Sequence, residues 1–306
     1  MLRRVSPRWI WTALGFGFAV LAACEGSDDG TAWMSRIDDA RGLAELSIPG
    51  THNTGAGYEL YPGTSKCQNL TIADQLAAGV RYLDVRCRHF QDTFLIFHGS
   101  IDQNQTFDEV LATMYAFLDA HPAEALIVSI MEESRPFEVT RSFDATFAAY
   151  VARDPDRWYL ASTLPRLGDV RGKLVLLRRF PTTMAPLGID ASPWPENTAA
   201  FSITNDASLR IQDAFIVSDN AIKWAAITSL LAEARTGNAS TLYLDHTSGY
   251  QEISGLNSIP TVSDDINARL DGFLADPVNR HAHLGVVSMD FVTPARAQAI
   301  VSTNEP

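Results

Sequence analysis

The chain has 306 residues, 46% of them hydrophobic and 20% charged, and a formal net charge of −12 at pH 7. That composition suits one large globular domain or two small ones. Such an acidic balance argues against a nucleic-acid partner and against strong attraction to anionic membranes.

The first residues stand apart from the rest. Arg3, Arg4 and Arg8 form a basic n-region, an apolar run covers 9–20, and Leu21-Ala22-Ala23-Cys24 follows. This is the order of a secretory signal, too short and too abruptly ended for a membrane span. The Leu-Ala-Ala-Cys ending is similar to a bacterial lipobox. On that reading residues 1–23 are a lipoprotein signal peptide, Cys24 is the lipidated first residue, and 24–32 are a flexible tether to the protein's own membrane. The alternative is an ordinary signal cut near Ala23. Both imply an extracytoplasmic or secreted protein, and Glu25 after the cysteine favours the outer membrane or cell surface. Loss of 1–23 removes three arginines and no acid, leaving −15.

Cys67 and Cys87 remain after export. An even pair in an oxidising compartment is a disulfide candidate. It would close a loop of about 20 residues, worth about 3 kcal/mol in the chain-entropy picture.

Short apolar runs then alternate with helical patterns. The runs fall at 44–48, 80–85, 93–97, 125–130, 173–177, 211–217, 241–244 and 284–289, each about strand length. Amphipathic stretches at 107–119, 137–153, 221–235 and 266–275 lie between them. Asp108, Asp219 and Asp264 sit where early helical turns favour acids. The segment 181–197, rich in Pro and Thr, reads as a long loop. Alternating strands and helices imply a largely parallel sheet. Eight strands over residues 33–306 fit an α/β fold with a single, distorted (β/α)8 barrel of TIM type. A doubly wound sheet is the other candidate, but no Gly-rich phosphate loop follows the first strand.

Polar residues collect where the apolar runs end: His52, Asp84 with Arg86, His98, Glu132, Arg178 with Arg179, Asp213, Asp245 with His246, and Asp290. In a barrel enzyme these ends form the active site. Asp84 and Arg86 lie two apart on a strand and therefore share a face, while Cys87 faces away. A lone histidine at a strand end is more often structural. Two histidines and an arginine on neighbouring strands can move a phosphoryl group without a metal.

The motifs Ser47-Ile48-Pro49-Gly50-Thr51-His52, Arg81-Tyr82-Leu83-Asp84-Val85-Arg86, Phe97-His98-Gly99 and Met289-Asp290-Phe291 resemble bacterial phosphatidylinositol-specific phospholipase C. The X region of eukaryotic phospholipases C shares the first and third. The resemblance runs over about 40–300 and is strongest at 45–100. It implies a distorted barrel that cleaves the phosphodiester of phosphatidylinositol, or of a related inositol lipid, at a membrane surface. The inositol 2-hydroxyl attacks phosphorus, giving diacylglycerol and a cyclic inositol phosphate.

The resemblance also assigns roles. His52 is the general base and His98 the general acid. Asp290 orients His52 and stabilises its imidazolium. Arg86 donates to the phosphoryl oxygens, and Asp84 fixes Arg86 or a neighbouring ring. Asp213 and Phe215 match a segment that accepts from the inositol hydroxyls and stacks on the ring. Either Arg178 or Arg179 supplies a further contact; alternation lets only one face inward.

Two departures stand out. Asn53 occupies the place of an aspartate that assists the general-acid histidine in metal-independent bacterial enzymes. An amide can orient His98 but cannot stabilise its charged form as a carboxylate does. Asparagine there is the eukaryotic, calcium-binding pattern, yet Arg86 stands where calcium-dependent members carry a carboxylate ligand. The expectation is therefore an enzyme with no metal and no cofactor. At the fourth strand end, Met131-Glu132-Glu133 replaces a lysine found in some members. Trp194 and Trp224 are candidates for lipid contact, and His281 with His283 for surface positions. Two alternatives remain: the same chemistry on another head group, or a lipoprotein that binds inositol lipids without turning them over.

Overall fold

The computed structural model describes residues 31–305. The signal segment, Cys24 and all of the tether before Thr31 lie outside the described residues. Thr31 is held to the barrel, donating from Oγ1 to Ala77 O and accepting from Arg81.

The first part of the chain runs β1 (Ile48–Thr51), α1 (Ile72–Ala77), β2 (Tyr82–Phe90), β3 (Thr93–His98), β4 (Ile101–Thr106) and α2 (Phe107–Ala120). The middle runs β5 (Leu126–Phe137), α3 (Phe143–Val151), β6 (Trp158–Tyr159), α4 (Leu167–Val170), β7 (Leu174–Arg178), β8 (Ile189–Asp190), β9 (Thr198–Thr204) and β10 (Ser208–Asp213). The last part is α5 (Asn220–Thr236), β11 (Thr241–His246), β12 (Gln251–Ile253), β13 (Leu256–Ser258), α6 (Pro260–Ala275), β14 (Val286–Met289) and α7 (Pro294–Ser302). Local chemistry sets several helix starts. Thr106 and Glu109 form a reciprocal capping box on α2, and the Asp219 carboxylate caps α5. Among the described residues no helix is long and apolar enough to cross a membrane.

The main sheet is ordered β6-β7-β5-β2-β1-β14-β11-β10-β9, with β8 also on β7 and the β3–β4 hairpin on β2. Every pairing from β6 to β10 is parallel, and β9 joins β10 antiparallel. The ladder is not closed by hydrogen bonds among the described residues, but the sheet curls. Leu177 and Ile189 near one edge share a core cluster with Leu209 and Ile211 near the other. Arg179, just beyond β7, stacks on Trp194 and comes within 4.0 Å of Asp213 on β10. This is the expected distorted TIM-type barrel, not a doubly wound sheet.

Alternation along the strands separates two cores. Leu83, Val85, Cys87, Leu126, Val128, Leu174 and Leu176 pack outward with Val110, Met114 and Phe147 of the covering helices. Tyr82, Ile127, Val175, Leu177, Leu209, Leu242, Leu244 and Val286 fill the interior. The same alternation carries Asp84, Arg86, Arg179, Asp213, His246 and Asp290 to the inside at the strand ends.

The elements depart from the expected pattern in four places. The first apolar run is a 3-10 turn (Leu43–Glu45), and the strand starts only at Ile48, where it pairs with Val286. The third run is β3, an antiparallel partner of β2 and not a barrel strand. Its two-residue connection, Gln91 and Asp92, has φ of 47° and 57°, the left-handed pair that a tight hairpin needs. Two-residue strands β6 and β8 share the work of one edge beside β7, and β8 lies inside the expected loop. Helix α6 begins at Pro260, so Asp264 lies past its first turn.

Candidate active site

Register brings His52 and Asp290 together. Strands β1 and β14 pair Gly50 with Ser288 and Thr51 with Met289. The next positions, His52 and Asp290, therefore meet. His52 Nδ1 lies 2.7 Å from Asp290 Oδ1, and the His52 amide donates to Met289 O at 3.0 Å. Gln68 locks the two strand ends, its Nε2 donating to His52 O (2.9 Å) and Met289 O (2.8 Å). With Nδ1–H given to Asp290, the lone pair of His52 is left on Nε2, and His52 lines a cavity of about 370 Å³. That volume suits a small polar ligand.

His98 ends β3 on the opposite wall. Its Nδ1 donates to Ser65 O at 2.7 Å, which leaves Nε2 for the cavity. The two imidazoles are 6.1 Å apart by ring centroid and nearly perpendicular. Burial pushes the His98 pKa below the ordinary imidazole value, and the neighbouring His52 and Arg86 add to this; Ser65 O and Glu133 oppose it.

Arg86 lies beside the histidines. Its Nε donates to Asp84 Oδ2 at 3.0 Å and its guanidinium reaches Glu133 Oε2 at 3.4 Å. Burial would raise the Asp84 carboxyl, but Arg86 and Arg179 outweigh it and hold the pKa well below the usual range. Burial likewise opposes the charge on Arg86, and Asp84 with Glu133 more than compensates. Asp84 also accepts the Asn53 amide at 3.1 Å. That bond seats Asn53 at a φ of 44°, which asparagine tolerates better than most residues.

The remaining wall is ring-like and charged. Arg179 stacks 3.8 Å over Trp194, and Trp194 Nε1 donates to Asp213 Oδ2 at 2.9 Å. Phe215 and Tyr250 line the mouth, 6.2 Å apart by ring centroid. Burial raises the Asp213 carboxyl, yet His246 and Arg179 reverse this and its pKa is lowered.

The structure thus brings His52, Asn53, Asp84, Arg86, His98, Arg179, Asp213, Phe215 and Asp290 to one mouth. It corrects four expectations. Arg178 faces out of the barrel, donating to Leu187 O and pairing with Asp190 at 2.8 Å, so Arg179 alone faces the cavity. Cys67 and Cys87 are free thiols. They cannot meet, because Cys87 sits in the outer core and Cys67 is buried behind the mouth, 3.6 Å from His98 Nδ1. Asn53 makes no hydrogen bond with His98; its Nδ2 lies 3.5 Å from His52 Nε2. Trp194 turns inward, and Trp224 packs on Phe273 in the outer core. His281 and His283 each engage a backbone carbonyl.

Sequence reading missed Glu133, which accepts the Gly99 amide at 2.7 Å and so ties the hairpin carrying His98 to β5. It also missed the floor below the site. There Lys223 of α5 is fully buried and donates to Gln212 Oε1, Ala214 O and His246 O. Burial lowers the Lys223 pKa to about 8 and that of His246 to about 4.

A parallel barrel with paired histidines, arginines and carboxylates around its C-terminal mouth belongs to the barrel enzymes that work at strand ends. Residues 43–180 match the family "Phosphatidylinositol-specific phospholipase C, X domain". A curated 1-phosphatidylinositol phosphodiesterase from Staphylococcus aureus (strain Newman) is 28% identical over 255 residues, covering 78% of this chain and 81% of the relative. One from Listeria monocytogenes is 28% identical over 286 residues, covering 89% and 84%. The solved F249X mutant of the Staphylococcus aureus phosphatidylinositol-specific phospholipase C superposes with a TM-score of 0.82 at 26% identity, covering 90% of this chain and 98% of that one. Over residues 43–180 the chain is thus similar to the phosphatidylinositol-specific phospholipase C X domain, and over most of its length to bacterial enzymes of that kind.

Proposed function

We propose that this chain is a phosphatidylinositol diacylglycerol-lyase that works without a metal. The observation that carries the reading is the His52–Asp290 pair facing His98 across a cavity that also holds Arg86. His52 Nε2 takes the proton of the inositol 2-hydroxyl as its oxygen attacks phosphorus. Asp290 stabilises the imidazolium that forms. Arg86 donates to the phosphoryl oxygens as charge builds on them. His98 Nε2 delivers a proton to the departing diacylglycerol oxygen. Phosphorus sits between the two rings, whose separation leaves room for one tetrahedral group. Asp213 accepts from inositol hydroxyls, Arg179 donates to them, and Phe215 supplies an apolar face.

Metal independence rests on where Arg86 lies. Its guanidinium occupies the space between Asp84 and Glu133, two carboxylates that a hard cation would otherwise bridge. Upstream, residues 1–23 are a signal peptide and Cys24 is the lipid attachment point, which puts the barrel outside the cytoplasm at a membrane surface. Radiolabelled fatty acid incorporated into the full chain and absent from Cys24→Ser tests the anchor.

Incubating the purified mature protein with phosphatidylinositol in chelator tests the activity. Diacylglycerol and cyclic inositol phosphate are the expected products. Release of neither, with His52→Ala giving the same blank, refutes the reading and leaves a lipid-binding protein. Glu132 and Glu133 at the mouth favour a second reading, the same chemistry on another head group. Faster cleavage of a different phosphodiester lipid would establish it.

A further inference from the structure

Cys67, buried behind the mouth, brings a metal-ligating group beside His52 and Asp290 that the proposed mechanism does not use. One ligand atom each from His52, Cys67 and Asp290 lies within 4.8 Å of the other two. The thiol is placed rigidly. The Cys67 amide donates to Ala56 O at 2.8 Å, its carbonyl accepts the Phe291 amide at 2.7 Å, and the side chain is fully buried. A second observation points into the same space. Asp290 is 2% exposed; its Oδ1 is taken by His52, its Oδ2 has no nitrogen or oxygen partner, and the Cys67 thiol lies beside the carboxylate. Such an orphaned buried carboxylate oxygen needs an explanation.

The donor set names the ligand class. One imidazole nitrogen, one thiolate and one carboxylate oxygen suit a zinc-type ion at about 2.0–2.3 Å per bond, with ligand atoms about 3.5 Å apart. The three atoms lie within 4.8 Å of one another, so closing on an ion requires the His52 and Asp290 side chains to draw in. Calcium and magnesium need several oxygens, and this cluster offers one carboxylate. His52 and Asp290 both line the open cavity, so a cation has a route in.

We propose that His52, Cys67 and Asp290 form an inhibitory site for a thiophilic divalent cation, with water as the fourth ligand. The inference rests on the reading of His52 as base for its consequence, but not for the binding. The cation replaces the thiol proton, which leaves to solvent, and bonds to Sγ. It also bonds to His52 Nδ1, and the proton held there moves to Nε2. One proton is released in all, and nothing is oxidised or reduced. With Nε2 protonated, His52 can no longer accept a proton from substrate. His98 Nδ1 stays with Ser65 O, outside the ligand set.

Cobalt(II) added to the chelator-stripped mature protein is the probe. A thiolate-to-cobalt charge-transfer band should saturate at about one equivalent and disappear when zinc is added. Cys67→Ser and Asp290→Asn should each weaken cobalt binding by about tenfold or more, and Cys87→Ala, in the outer core, should not. No band, a band retained in Cys67→Ser, or one lost in Cys87→Ala overturns the site. In parallel, saturating zinc should lower phosphatidylinositol cleavage at least about tenfold, reversibly by chelator, and Cys67→Ser should need about tenfold more zinc. A band in a protein that is inactive when stripped refutes the lyase reading and keeps the site. Full activity with no band does the reverse.

Discussion

On the proposed mechanism, Asp290→Asn separates charge from geometry at the base. The amide oxygen of asparagine still accepts from His52 Nδ1, so the ring keeps its orientation and tautomer. The negative charge that meets the growing imidazolium is lost. Nδ1 and Oδ1 are 2.7 Å apart. At an effective dielectric of about 20, unit charges at that distance attract by about 6 kcal/mol. About half of the charge has developed at a midway proton transfer, which leaves about 3 kcal/mol, or about a hundredfold in kcat. The assay is release of cyclic inositol phosphate from phosphatidylinositol vesicles in chelator, with circular dichroism to establish that the variant is folded. Asp290→Ala should lose more, because it also frees the ring. A loss of less than about threefold in Asp290→Asn, or one confined to KM, would show that Asp290 does not stabilise a charged His52.

Arg86→Lys keeps the charge but not the fork held between Asp84 and Glu133. It should lower kcat about 10²-fold or more, and added calcium should not restore it; recovery with calcium would refute metal independence. The acid limb is tested by pH. His98 has a lowered pKa, so its protonated form predominates in the free enzyme only at pH values below the ordinary imidazole value of about 6.5. kcat/KM should therefore fall as pH rises through that lowered value, and Glu133→Gln should move the fall further to the acid side. A fall centred above 6.5 would contradict the environment described for His98. Both cysteines of the barrel should be alkylated after unfolding without reductant, as read by mass spectrometry of their peptides. Protection of Cys67 and Cys87 together would restore the disulfide.

Much of this molecule was legible because strand alternation and strand-end position carry information in a barrel. His52, Asp84, Arg86, His98, Asp213 and Asp290 each end or follow an apolar run, and all reach the mouth. Arg178 and Arg179 were not separable. The run before them, Leu174-Val175-Leu176-Leu177, is apolar on both faces, so its sequence holds no phase. The disulfide failed for a related reason: the phase of β2 was known, but nothing in the sequence placed Cys67, whose loop returns to the inner side. The β2–β3 hairpin was hidden because Gln-Asp lacks the glycine or asparagine that usually marks a positive-φ turn. Lys223 was invisible as a site residue, and Trp194 was legible only as a candidate for lipid contact, because helix α5 and a long loop bring them in, and neither path is written in periodicity.

The two halves of the site are built unequally. His52 owns a carboxylate at hydrogen-bond distance. His98 has a backbone carbonyl, and the nearest anionic help comes from Glu133, which is already committed to Arg86 and the Gly99 amide. Asn53 does not fill the gap, since its amide donates to Asp84 and its side chain lies by His52. The proton affinity of His98 is therefore set less by the protein than by what enters the cavity. A phosphodiester anion placed beside it would raise that affinity at the moment a proton is needed, while Arg86, neutralised by two carboxylates, does not overwhelm the anion's field. In this arrangement the substrate supplies the charge that, among the described residues, no carboxylate provides at hydrogen-bond distance from His98.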